Sequence, residues 1–314
     1  MATMKAVRIH SYGGPEVLAY EGVPRPEPAD GEVLVRVKAA GVNPVDWKIR
    51  DGSMKGWLQL RLPAVLGCDL AGVVEAVGTG VSGFRPGDEV FAYTPMTRDG
   101  AYADFAVVKQ DELAHKPKTV GFNEAAALPV ATLTAWGALF DRGGLRAGQR
   151  ALVHAAAGGV GSAGVQLAKA KGAWVAGTAS ARNLGFVREL GADQPIDYTA
   201  GPFEDAVKDV DVVFDTIGGD TQRRSLGVLK PGGILVSIVE PPSAEEAAAR
   251  GVRAEFFGVS PDGRRLAEVA RLVDGGKLKA HVETVLPLKE VRKAHELSQT
   301  GRTRGKIVLV PAGA

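Results

Sequence analysis

Ala151-Leu-Val-His-Ala-Ala-Ala-Gly-Gly-Val-Gly161 is a short apolar strand that runs into glycines and then into the helix-forming Ser162-Ala-Gly-Val-Gln-Leu-Ala-Lys169. Glycines at a strand-to-helix turn let backbone N–H groups approach phosphates, and the positive end of the helix dipole faces them. The order therefore describes a seat for the pyrophosphate of a dinucleotide, formed by Ala157, Gly158, Gly159, Val160 and Gly161. In the pattern G-x-G-x-x-G the first glycine is Ala156 here, so the motif by itself is weak and its context carries the reading. Apolar strands at 173–178, 211–215 and 233–239 continue a βαβ rhythm. The bland alternative is a glycine-rich turn that only packs helix on strand.

After the second strand of such a unit an NAD site places Asp or Glu on the ribose 2′-hydroxyl. The segment here reads Thr178-Ala-Ser180-Ala-Arg182-Asn183, without an acid. A hydroxyl and a guanidinium suit a dianionic 2′-phosphate, so the pattern favours NADPH. One charged hydrogen bond of roughly 1.5 to 3 kcal/mol gives about ten- to hundredfold preference over NADH. The alternative for Arg182 is a solvated residue in the first turn of the following helix.

Composition bounds the rest. The 314 residues allow one large core or two medium ones, and the length favours two. A net charge of +2, with both signs interspersed, gives no reason to expect nucleic acid. Met1-Ala-Thr-Met-Lys-Ala-Val-Arg-Ile-His10 has no apolar core of a signal peptide, and no apolar run approaches membrane-spanning length. A soluble, cytoplasmic protein with no membrane partner is the expectation. The single cysteine, Cys68, excludes an intrachain disulfide.

Up to about residue 123 the chain shows short β runs, at 5–9, 32–39, 70–77, 89–92 and 102–107, separated by Gly and Pro, which predicts a compact and mostly antiparallel β domain. From 124 to about 280 helix and strand alternate, the mark of a parallel sheet with crossover helices. A last helix at 288–299 leads to a strand at 305–310, which either extends that sheet or returns to the first domain. Residues 243–250 read as a surface helix.

Several stretches resemble the medium-chain dehydrogenase/reductase superfamily, and within it the zinc-independent quinone oxidoreductases that include the zeta-crystallins. They are Gly41-Val-Asn-Pro-Val-Asp-Trp-Lys48, Pro63-Ala-Val-Leu-Gly-Cys-Asp-Leu-Ala-Gly-Val-Val74, Gly87-Asp-Glu-Val90, Gly100-Ala-Tyr-Ala-Asp-Phe105 and the nucleotide loop. The resemblance implies an α/β protein: a GroES-like β domain over 1–123, rejoined by 281–314, plus a doubly wound Rossmann domain over 124–280. It also implies a cleft between them for nicotinamide and substrate. Zinc-dependent relatives carry Cys and His-Glu where this chain has Asn43 and Cys68-Asp69. A catalytic zinc needs three protein ligands and a structural one four, mostly thiolates, and His10, His115, His154, His281 and His295 have no ligand spacing. No metal is therefore expected. Without a Lewis acid, reduction of a quinone or an enone is expected ahead of oxidation of an alcohol.

For that chemistry the catalytic candidates are Asn43 and Lys48. The Asn43 amide suits an oxyanion or the nicotinamide ribose, while Asn43-Pro44 also reads as N-cap and first helical residue. Lys48, one turn on, either donates to a developing enolate or is solvated, and plant-type enone reductases of the superfamily resemble it in Asn-Pro-x-Asp-x-Lys. By resemblance Thr132 contacts the nicotinamide, or its hydroxyl bonds its own helix. Tyr198 matches a position near the 2′-phosphate, with aromatic packing as the alternative. Thr216 and Ile217 follow a strand end and are assigned to ribose or nicotinamide, and family analogy adds Val259 and Lys306. Trp47, Trp57, Tyr93 and Phe257 are the substrate-side aromatics, each also readable as core. A homodimer through the strand at 254–258 is expected. Two other functions share these features: an NADPH-binding crystallin-like or regulatory protein with incidental activity, and a trans-enoyl thioester reductase.

Overall fold

The computed structural model describes residues 2–313. They form two units: one holds the chain up to Val130, Ser260–Gly275 and the stretch from Ala280 on, the other Ala131–Val259 and Gly276–Lys279. The strands are β1 (Thr3–Ile9), β2 (Leu18–Pro24), β3 (Glu32–Val42), β4 (Ala64–Val65), β5 (Asp69–Val77), β6 (Glu89–Tyr93), β7 (Phe105–Lys109) and β8 (Leu113–His115). Next come β9 (Arg150–Val153), β10 (Trp174–Ala179), β11 (Gln194–Asp197), β12 (Val210–Asp215), β13 (Leu229–Ser237) and β14 (Arg253–Phe256), then β15 (Val282–Pro287) and β16 (Lys306–Val310).

The first unit is GroES-like. Its larger sheet runs β15-β16-β3-β5-β6-β8 with β7 on β3, and a smaller one runs β2-β1-β4. All its pairings are antiparallel except β15 with β16. Alternation along β7, with Ala106 and Val108 inward, is the period-2 pattern of a sheet with one buried face. The tail thus returns to the first unit, where Ile307 and Leu309 join its core.

The second unit is a Rossmann sheet in the order β11-β10-β9-β12-β13-β14, every pair parallel. β12 is buried along its whole length, as expected for a central strand covered on both faces. The order reverses between β9 and β12, the switch point where such sheets bind ligands beyond their carboxyl ends.

Three readings of the sequence shift. The first unit runs to Val130 and claims the helix Gly263–Asp274, which was expected in the Rossmann domain. Leu266, Val269, Ala270 and Val273 form that helix's buried stripe. Gly263 lies so close to β8 that a Cβ there would stand 2.3 Å from the Leu113 carbonyl, and Asp274 accepts the Thr119 N–H at 3.0 Å. Gly276–Lys279 belongs to the second unit because Gln166 grips the Lys279 backbone at both its N–H and its carbonyl. Finally, the expected strand at 102–107 begins at Phe105, since Tyr102 turns its ring into the core against Gly67.

Candidate functional site

In the second unit the candidate residues gather along the carboxyl edge of the sheet. β9 ends at Val153, paired with Gly177 on one side and Phe214 on the other, and the loop 154–158 leads into the helix Gly159–Ala170. The first N–H groups of a helix have no partner within it, so those of Gly159, Val160 and Gly161 are available to an anion. Gly161 is required here: a Cβ would stand 2.2 Å from the Ala155 carbonyl. The missing first glycine is compensated from the next strand, because a Cβ on Gly177 would meet the Ala156 methyl at 2.8 Å. The left-handed residue of the loop is Ala155, at φ 44°.

That conformation is held from below. The Thr178 hydroxyl accepts the Ala155 N–H at 3.2 Å and lies 3.1 Å from Nδ1 of His154, whose Nε2 is 2.8 Å from the Ser225 hydroxyl. Ser225 donates to the Thr221 carbonyl, so its oxygen accepts from Nε2–H and Nδ1 accepts from Thr178. Burial pushes the His154 pKa down to about 4, which keeps the imidazole neutral. Asp215, fully buried, accepts from the Ile217 and Gly218 N–H groups, Gln222 and Ser237, and so shapes the turn after β12. Sequence reasoning missed the roles of His154 and Thr178, whose partners are distant in the chain, and that of Asp215, which reads in sequence only as the last residue of a strand.

β10 and β11 end in register at Ala179 and Asp197, which brings Ser180, Arg182 and Tyr198 to one rim. Tyr198 is 58% exposed and so is not core packing. The nearby carboxylate of Asp197 is engaged by the Thr199 N–H and hydroxyl, which hold its pKa low. The remaining candidates of this part of the chain have the following surroundings. The Thr216 hydroxyl donates to the His154 carbonyl at 2.8 Å, Ile217 is exposed, and Thr132 is fully buried in the helix Pro129–Trp136. Val259 follows β14 half-exposed, while the ring of Phe257 lies on Gly137, where a Cβ would meet it at 2.1 Å.

In the first unit, sheet register brings Gly41, Asp69 and Tyr93 side by side, with Lys306 opening the adjoining β16. Asn43 occupies the N-cap position of the helix Pro44–Asp51, but its side chain makes no cap bond. Instead Nδ2 donates to Asp69 at 2.9 Å and Oδ1 accepts from the Lys306 ammonium, which also lies 3.2 Å from Asp69. Asp69 further accepts the Val130 N–H at 2.8 Å. The helix is capped in the other direction, by Asp46 accepting the Asn43 N–H at 2.7 Å. Asp46 also takes the Tyr102 hydroxyl at 2.8 Å and the Cys68 thiol at 3.5 Å.

Burial dominates the electrostatics of this cluster. It raises the Asp46 pKa to about 6 against the hydrogen bonds from Asn43 and Tyr102, and raises Asp69 against the Lys306 charge. Cys68 is pushed well up by burial and by the two carboxylates, so it is a protonated donor. Lys306, expected at the cofactor, is buried with its ammonium on Asn43 and Asp69. Lys48 is half-buried, its ammonium 5.7 Å from the Trp47 ring. Of the substrate-side aromatics, Tyr93 is buried, Trp57 is 70% exposed and Phe257 lies in the second unit. Trp47 keeps a buried indole N–H without a partner.

Comparison with known proteins places the chain. The Alcohol dehydrogenase GroES-like domain family matches residues 29–118, and the Zinc-binding dehydrogenase family matches residues 190–309. An Arabidopsis thaliana chloroplast envelope quinone oxidoreductase homolog is 36% identical, over 98% of both chains. The chain belongs to the medium-chain dehydrogenase/reductase superfamily. Another superfamily relative, an NADPH-dependent alkenal/one oxidoreductase of Arabidopsis thaliana chloroplasts, is 39% identical over 98% of this chain and 80% of its own. The solved quinone oxidoreductase of Coxiella burnetii superposes with a TM-score of 0.90 at 36% identity, covering 98% of this chain and 99% of that one.

As a member of this superfamily the protein is an oxidoreductase. Part of the superfamily binds zinc, and the residues here do not fit that ion. Position 43 offers an amide in place of a thiolate, that amide is engaged by both Asp69 and Lys306, and the Lys306 ammonium already supplies the cation beside Asp69. Among the described residues no three His, Cys, Asp or Glu side chains stand together as a metal site, and no helix is long and apolar enough to cross a membrane.

Proposed function

We propose that the protein is an NADPH-dependent reductase that delivers hydride to quinones or α,β-unsaturated carbonyls without zinc. The observation that carries the cofactor reading is the rim beyond β10 and β11, where Ser180, Arg182 and Tyr198 gather and the neighbouring carboxylate of Asp197 is already engaged. A ribose 2′-phosphate is favoured there and a 2′-hydroxyl lacks its usual acid. The neutral His154 and Thr178 hold the loop so that the N–H groups of Gly159 to Gly161 cradle the pyrophosphate. The relatives named as quinone and alkenal/one oxidoreductases support the acceptor class.

When bound, NADPH supplies the hydride. The chain's own residues orient the acceptor and stabilise the oxyanion that forms on it. In the first unit Asn43 retains one amide hydrogen beyond the one given to Asp69. The Lys306 ammonium on its carbonyl polarises that amide and fixes which end donates. Lys48 is the proton donor in this reading.

Two measurements test it. Arg182→Ala should reduce the preference for NADPH over NADH about ten- to hundredfold, read as the ratio of KM values; an unchanged ratio removes Arg182 from the site. Lys48→Ala should lower kcat on an enone by more than about tenfold, roughly 1.4 kcal/mol of barrier, and a smaller loss makes Lys48 a bystander. A screen of NADPH oxidation against quinones, enones and enoyl thioesters ranks the acceptors.

The reading includes a homodimer joined through β14, the open edge of the parallel sheet. Light scattering at micromolar concentration should return twice the chain mass, and a monomer would refute it.

A further inference from the structure

At the opposite, amino-terminal edge of the second unit's sheet lies a cavity of about 240 Å³ lined by Arg146, Gln149, Asp211, Lys230, Arg253 and a rim of glycines. Three cations face one carboxylate. Asp211 is already saturated: it accepts the Arg150 N–H at 2.8 Å and the Gln149 amide at 2.9 Å, and pairs with Lys230. Arg146 and Arg253 have no ion pair or side-chain hydrogen bond among the described residues. Two guanidinium groups thus share one concavity with no internal anion to answer them.

The cavity is separate from the dinucleotide seat. It opens at the start of β12, whereas the nucleotide loop follows the carboxyl ends of the strands. The six residues of β12, at about 3.3 Å each, set the two edges roughly 17 to 20 Å apart.

We propose that this cavity is a binding site for a small phospho-anion of pyrophosphate size. Guanidinium forks match phosphate oxygens two at a time, and two of them with an ammonium suit more than one negative charge. The volume is below that of ordinary organic-ligand pockets, which begin at about 300 Å³, so a compact anion suits it better than a nucleotide. Arg253 is the first residue of β14, at the end of the strand assigned to dimer pairing, and Arg146 lies outside that strand.

The test is a calorimetric titration of sodium pyrophosphate into the full-length protein, with and without NADPH. Three proteins are compared: wild type, the double variant Arg146→Gln with Arg253→Gln, and Arg182→Gln as a control for the cofactor rim. One pyrophosphate per chain should bind the wild type with NADPH present, about tenfold or more weakly in the double variant, and unchanged in Arg182→Gln. A parallel titration with inorganic phosphate should show weaker binding if both arginines engage one ligand. Unchanged thermal unfolding and NADPH turnover in the double variant show that the fold is intact, since both arginines are exposed. Three results would overturn the proposal: no wild-type binding up to roughly 10 mM, equal binding in the double variant, or loss of binding in Arg182→Gln alone.

Discussion

Lys306→Met should destabilise the protein by about 3 to 5 kcal/mol, more than any other single change to the candidate site. The Lys306 ammonium and the Asp69 carboxylate are both buried, and Asn43 joins them by accepting from one and donating to the other. Removing the ammonium leaves a carboxylate without water or counter-charge, which is the costly half of a broken buried pair. At about 2 to 4 °C per kcal/mol for a chain of this size, unfolding moves down by roughly 10 °C. The double variant Lys306→Met with Asp69→Asn should recover most of the loss. With the charge gone, the Asn43 side chain can turn so that its oxygen accepts from the amide introduced at position 69, and the Val130 N–H keeps its acceptor. Calorimetric melting of the wild type, both single variants and the double variant checks this. A double variant as unstable as Lys306→Met would refute the buried pair.

Asp46→Asn has the second large effect, and its size depends on pH. Burial raises the Asp46 pKa from 3.8 to about 6. Between those values the folded state holds a proton that the unfolded chain has lost. The group's stabilising contribution is therefore complete below pH 3.8 and is lost as pH rises through about 6. A shift of about two pH units corresponds to roughly 3 kcal/mol. Asparagine mimics the protonated acid at every pH: its oxygen accepts from Asn43 and Tyr102, and its NH₂ faces the Cys68 sulfur. Relative to wild type, Asp46→Asn should gain stability between pH 4 and 7, read as the difference in unfolding temperature at the two ends. A difference that does not change with pH would show that Asp46 keeps an ordinary pKa.

The two predictions concern residues that the sequence revealed unevenly. Asp46 was visible only as an acid in the first turn of a helix, and its partners Cys68 and Tyr102 lie 22 and 56 residues away. Lys306 was singled out by resemblance, but for the cofactor. Its partner within the first unit, Asn43, stands 263 residues away, and no local pattern reports a bond of that span. Trp57 and Tyr93 look alike as aromatic candidates, yet one is exposed and the other sealed behind the cluster.

What the chain determined by itself was whatever local chemistry dictates. The run from β9 into Gly159–Gly161 can only be a strand, a tight turn and a helix, because apolar alternation and missing Cβ atoms act over a few residues. The absence of an acid after β10 was equally plain, and the proposal of a 2′-phosphate rests on it. Tertiary structure alone decided how Ala156 stands where a glycine was expected, since the room comes from Gly177 on the next strand. It also decided that Gly263–Asp274 leaves the Rossmann unit, and that Asn43, Asp69 and Lys306 form one buried group. The physical reason is common to all three: burial and charge pairing are properties of neighbours in space, and those neighbours come from strands and helices remote in the chain.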